Sequence, residues 1–165
     1  NESLLPEFDI LKNLNPDTWD ISDYLNFKYD INAAIAFSKL FYPDFIEKSG
    51  CIILGFRYNE ESFKKWYKHF HGNVSEVERA CNKYELMEYF SNNRSTDESL
   101  ESYNQKIDEL GKILKKSWEI SCKLLFPEKR VVAEIIDEYD TTRITIYTEA
   151  NYRGADTSDK KNGFN

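Results

Sequence analysis

Apolar positions recur along the chain with two periods, and the switches between them mark the elements. Glu7–Leu14 reads as a short helical lead-in, ended by Asn15-Pro16, and Trp19 to Phe27 as a helical turn or short helix. Ile31–Phe41 carries Ile31, Ala33, Ala34, Ile35, Ala36, Phe37, Leu40 and Phe41. A helix apolar nearly all round should be central and buried; Asp30 is its expected N-cap and Pro43 its stop. Phe45-Ile46-Glu47 and Cys51–Phe56 flank Lys48-Ser49-Gly50, the pattern of a β-hairpin. Asn59 then caps a segment in which Phe63, Trp66, Tyr67 and Phe70 fall at i, i+3, i+4 and i+7, an amphipathic helix closed by Gly72.

Ser75 and Glu78 have capping-box spacing, and Val77, Ala80, Cys81 and Tyr84 would line one face of a helix running toward Phe90. Ser91–Ser99 is polar throughout and reads as an exposed loop. From Glu98 to Leu125 the stripe Leu100, Tyr103, Ile107, Leu110, Leu114 drifts to Trp118, Cys122 and Leu125, as in one straight helix about 42 Å long. Its seam should pack on the domain's own sheet in preference to a coiled-coil partner. β-branched runs at Arg130–Tyr139 and Arg143–Ala150 around Asp140-Thr141-Thr142 predict a second hairpin. The expectation is an α+β fold: several helices, one long at about residues 98–125, on a small antiparallel sheet from two β-hairpins. Residues 1–150 would form a single globular domain and residues 151–165 a flexible polar tail.

Composition narrows the function. The 165 residues carry a net charge of −7, of which residues 1–50 contribute nine acids against four bases. Such a balance argues against nucleic acid, whose phosphates demand Lys and Arg, and favours a basic protein partner drawn in by the field. No apolar run approaches a membrane span of roughly 18 residues, and no signal-peptide core is visible. Cys51, Cys81 and Cys122 are odd in number and widely spaced, as expected of reduced thiols in a cytoplasmic protein.

Catalytic and cofactor patterns are not found: there is no nucleophile elbow, phosphate loop or zinc motif, and no cofactor is expected. His69 and His71 lack the further ligands a zinc site needs and suit a helix C-terminus instead. Cys81 with His71 is formally a nucleophile pair, but Cys81 sits on an apolar face. Glu76, Glu78, Glu85 and Glu88, interleaved with Arg79 and Lys83, read as a solvated helix face. Two acidic, aromatic clusters are candidate partner-binding sites. The first is Glu134, Asp137, Glu138, Tyr139 and Asp140 on the C-terminal hairpin, with edge protection as the alternative role. The second is Asp20 and Asp23, with Asp17, Asp30, Trp19 and Tyr24, where the aspartates could equally be helix caps.

A small, acidic, cysteine-poor α+β domain with carboxylates and aromatics on its surface resembles the immunity proteins that bacteria use against toxins of interbacterial competition. The stretch Phe37-Ser38-Lys39-Leu40-Phe41-Tyr42-Pro43-Asp44-Phe45-Ile46, followed by Gly50-Cys51-Ile52-Ile53-Leu54, is similar to a pattern in small bacterial proteins. The resemblance implies tight binding to a cationic toxin domain, often a nuclease, and inhibition by occlusion; it transfers no site motif residue by residue. Two alternatives remain open: a regulatory or structural subunit that homodimerises along Leu100–Leu125, and a small hydrolase using carboxylates and His71.

Overall fold

The structure, a computed structural model, describes residues 4–138 and 141–150. Their order is α1 (Pro6–Leu14), α2 (Ile21–Lys28), α3 (Ile31–Phe41), β1 (Phe45–Lys48), β2 (Cys51–Leu54), α4 (Glu60–His69), α5 (Val74–Asn82), β3 (Tyr84–Glu85), α6 (Leu100–Leu125), β4 (Val131–Glu138) and β5 (Thr141–Thr148). The fold is α+β, with two small antiparallel sheets, β1-β2 and β3-β5-β4. The predicted tail, 151–165, and the tip residues Tyr139 and Asp140 lie outside the described residues.

Both hairpins form, the second with Thr141 and Thr142 in β5 and not in the expected turn. Ser49 and Gly50 have φ of 51° and 81°. Two consecutive left-handed residues match the strand twist, and Gly50 adopts that region without steric cost. The second hairpin pairs Val131 with Thr148 through to Glu138 with Thr141. β5 is central, and its residues alternate between two layers. Ile144 and Ile146 join the main core with Leu86, Ile107, Leu114, Trp118 and Cys122, most of it from α6. On the other face the Thr145 hydroxyl donates to the carbonyl of Arg79 in α5 (3.0 Å), and the Arg79 guanidinium lies over the Tyr147 ring. A second cluster, Cys51, Ile53, Phe63 and Val77, fills the space under α4 and α5.

The outer edge of β4 is tied to α6 at Ala133. Ala133 N–H donates to Glu119 (3.0 Å), Lys115 donates to the Ala133 carbonyl, and the two side chains pair with each other at 2.8 Å. At that position the edge's backbone groups are satisfied by the same chain and offer nothing to another strand.

Three local expectations are corrected. The helix expected to run from Ser75 toward Phe90 stops at Asn82, followed by β3 and a single 3₁₀ turn at Leu86–Tyr89. Its cap is Asn73, which accepts from Glu76 N–H, so the Ser75–Glu78 capping box is not made. The expected central helix, α3, contains no buried residue. It is tied down at its last turn, where Trp118 Nε1 donates to the Leu40 carbonyl (2.8 Å) and the Ser117 hydroxyl donates to that of Phe41. Leu40 and Phe41 pack on the core, and the turns before them project as an apolar shelf.

Candidate functional site

The elements around that shelf are set by short polar signals. Asp20 accepts from Ser22 N–H (2.7 Å), the Ser22 hydroxyl (2.5 Å) and Asp23 N–H (3.3 Å), while Asp23 accepts from Asp20 N–H (3.0 Å). This reciprocal box starts α2. The Ser22 hydroxyl, ahead of the two backbone donors, holds the Asp20 carboxyl below its ordinary value. Asp30 starts α3 by accepting from Ala33 N–H at 2.8 Å. Lys12 bridges the carbonyls of Pro16 and Trp19 and fixes the turn between α1 and α2. A run of rings then ties the helices together: Phe8–Tyr24 (5.6 Å), Tyr24–Tyr29, Tyr29–Phe37 and Phe37–Phe90 (6.3 Å each). The first three are edge-to-face, and contacts of that kind add about 1 kcal/mol each beyond area burial; Phe37–Phe90 is tilted.

Between α2 and α3 this leaves a groove of about 540 Å³, walled chiefly by Ile21, Leu25, Tyr29, Ile31, Ala34 and Phe37, with Tyr24 beneath. Asn26 and Asp30 are its polar lining residues. Ile31 is 71% exposed and Ile35, beside it, 56%. Of eighteen large apolar residues exposed among the described residues, twelve fall between Leu4 and Tyr42. Six of the twelve (Leu5, Ile21, Leu25, Tyr29, Ile31 and Phe37) meet in the groove, and apolar residues gathered in this way mark interaction surfaces.

The same segment is acidic. Residues 4–44 hold seven carboxylates and three lysines. Glu7 pairs with Lys28 (2.7 Å) and Asp44 with Lys39 (3.1 Å). Among the described residues, Asp9, Asp17, Asp20, Asp23 and Asp30 are in no ion pair within 4.0 Å.

The two sequence-derived clusters fare differently. On the hairpin, Glu134 is bonded to Arg79, and Glu138 lies 3.6 Å from Arg143; Asp137 is exposed. Much of that charge is thus answered within the chain. In the N-terminal cluster, Asp20 and Asp23 are both caps and exposed or half-exposed carboxylates. Tyr24 is only 5% exposed, so it serves as the floor of the groove and not as a protruding anchor.

The residues considered for chemistry have structural explanations. Glu78, expected on a solvated face, is fully buried. It accepts from Ile52 N–H (2.6 Å), Thr148 N–H and the Thr148 hydroxyl. One turn on, Asn82 accepts from Leu54 N–H (2.8 Å) and donates to the carbonyls of Ile52 and Ile146. The two side chains stitch β2 to β5 where the strands do not pair directly. Burial pushes the Cys51 and Cys122 thiols up to about 12 and raises Cys81, which makes all three poor nucleophiles at neutral pH. His69 packs against Trp66 and Phe70, and His71 takes the left-handed turn position beyond α4. Among the described residues no three His, Cys, Asp or Glu side chains gather to hold a metal.

No family model matches this chain, and neither does any curated protein or solved structure. Sequence reading found the acidic N-terminal cluster but missed the groove beside it. The available signal was the all-round apolarity of Ile31–Phe41, next to a segment too acidic to be core.

Proposed function

We propose that this protein is a protein-binding inhibitor of the immunity type, neutralising a basic toxin domain by covering its working surface. The observation that supports this reading is the solvent-facing apolar groove between α2 and α3, set in a segment with five unpaired aspartates. Apolar anchors supply affinity, and each fully buried Leu, Ile or Phe contributes about 1.5–3 kcal/mol. Several are needed, because association costs about 4–15 kcal/mol in lost freedom. The aspartates supply steering and partner choice. Homodimerisation along Leu100–Leu125 is less well supported: Tyr103, Ile107, Leu114, Trp118 and Cys122 of that seam are committed to the protein's own interior.

The test is capture from the native host, with the wild type as bait, followed by reconstitution of the purified pair. The reading expects a basic partner whose enzymatic or toxic activity falls to background at equimolar inhibitor. An acidic partner, or one that keeps its activity in the complex, contradicts it.

A further inference from the structure

Resting on the reading that the partner is basic, we propose that the α2–α3 groove receives an amphipathic helix of that partner, apolar along one stripe and flanked by Lys or Arg. The walls decide the backbone form. Both sides of the groove are helices, whose N–H and C=O groups in the helix interior are already bonded along the chain. A strand laid between them would bury main-chain donors and acceptors with nothing to meet. A helix brings its own hydrogen bonds and needs only side-chain complementarity, the groove-binding mode of peptide recognition.

Charge decides the occupant's flanks. Asp30 stands on the groove wall and is its one charged lining residue, in a segment (4–44) of seven carboxylates against three lysines. A second copy of this chain would set Asp30 and that acidic segment against their own likeness, with −7 on each molecule. An anionic membrane surface is repelled for the same reason.

The probes are designed helical peptides of about eighteen residues. One carries Leu at i, i+3, i+4 and i+7 with Lys flanks, a second has Glu flanks, and a third is the Lys peptide with a central proline. Fluorescence anisotropy is read on the wild type and on Ile31→Gln and Phe37→Gln. Ile31 makes no ring contact and serves as the control should Phe37→Gln loosen the fold, which circular dichroism monitors. The expected result is saturable binding of the Lys helix, weakened at least about tenfold by the proline, by the Glu flanks and by Ile31→Gln. It should weaken further between about 0.05 and 0.3 M salt. No binding by the Lys helix, equal binding by the Glu or proline peptide, or a dimer in sedimentation that Ile31→Gln dissolves overturns the inference. So does binding to neutral or anionic vesicles that the Lys helix fails to compete. The captured partner separates the two readings: if it is inhibited yet indifferent to Ile31→Gln, the helix assignment falls while the inhibitory function stands.

Discussion

At the scale of single residues, Glu78 and Asn82 govern the join between the two sheets. Replacing Glu78 with Leu strands the buried N–H of Ile52 and the half-buried N–H of Thr148. At about 1–3 kcal/mol for each orphaned donor, urea unfolding should register a loss of at least about 2 kcal/mol. Asn82→Asp should cost a similar amount, because a carboxylate oxygen would face the carbonyls of Ile52 and Ile146 in place of the amide donor. pH dependence gives a third test. Burial outweighs the donors around Glu78 and raises its carboxyl above 4.5, so the folded protein holds this proton more tightly than the unfolded chain does. Stability from this group is fully present below that value and is lost as pH rises through the raised one. The unfolding free energy of wild type minus Glu78→Gln should therefore shrink from about pH 4.5 toward neutrality. A difference that grows with pH would mean that the hydrogen bonds prevail.

At the scale of elements, legibility followed the range of the interactions. Asp30 and Asn59 act as the caps their sequence positions imply, because capping is decided within four residues. The first hairpin and α6 were equally readable from period and turn chemistry; the second hairpin was readable from its β-branched runs, but β5 begins at Thr141, two residues before the expected Arg143. Ser75–Glu78 misled because Asn73 already supplies the cap and Glu78 is claimed by strands 26 and 70 residues away in sequence. No local spacing carries that information. For α3 the period was read correctly, but apolarity on every face says only that a helix needs cover; it does not say which molecule provides it. The shelf therefore makes its own prediction. Ile31→Gln and Ile35→Gln should leave the melting temperature of the isolated protein nearly unchanged, within about 0.5 kcal/mol, since neither side chain is buried. Gly111→Ala in α6 should behave oppositely. An added Cβ would lie 2.9 Å from a methyl of the buried Leu86, so overpacking of about 1–3 kcal/mol should outweigh the gain of about 1 kcal/mol in helix propensity.

At the scale of the whole molecule, apolar exposure and uncompensated charge fall on the same end. The β sheets, α5 and α6 form a frame in which the β4 edge is held at Ala133 by α6 and the hairpin's Glu134 and Glu138 find arginines. The segment from Leu4 to Tyr42, which holds α1 to α3, is joined to that frame at the last turn of α3 and leaves twelve of its large hydrophobic side chains exposed. Composition announced the acidity of this segment of the chain. The groove itself was illegible because it depends on how α2 lies beside α3 and where α3 docks on α6. Hydrogen–deuterium exchange on the purified protein, alone and bound to its captured partner, tests the assignment most directly. The account predicts that protection gained on binding is concentrated in residues 21–41; protection confined to the 131–148 hairpin, with residues 21–41 exchanging as in the free protein, would contradict it.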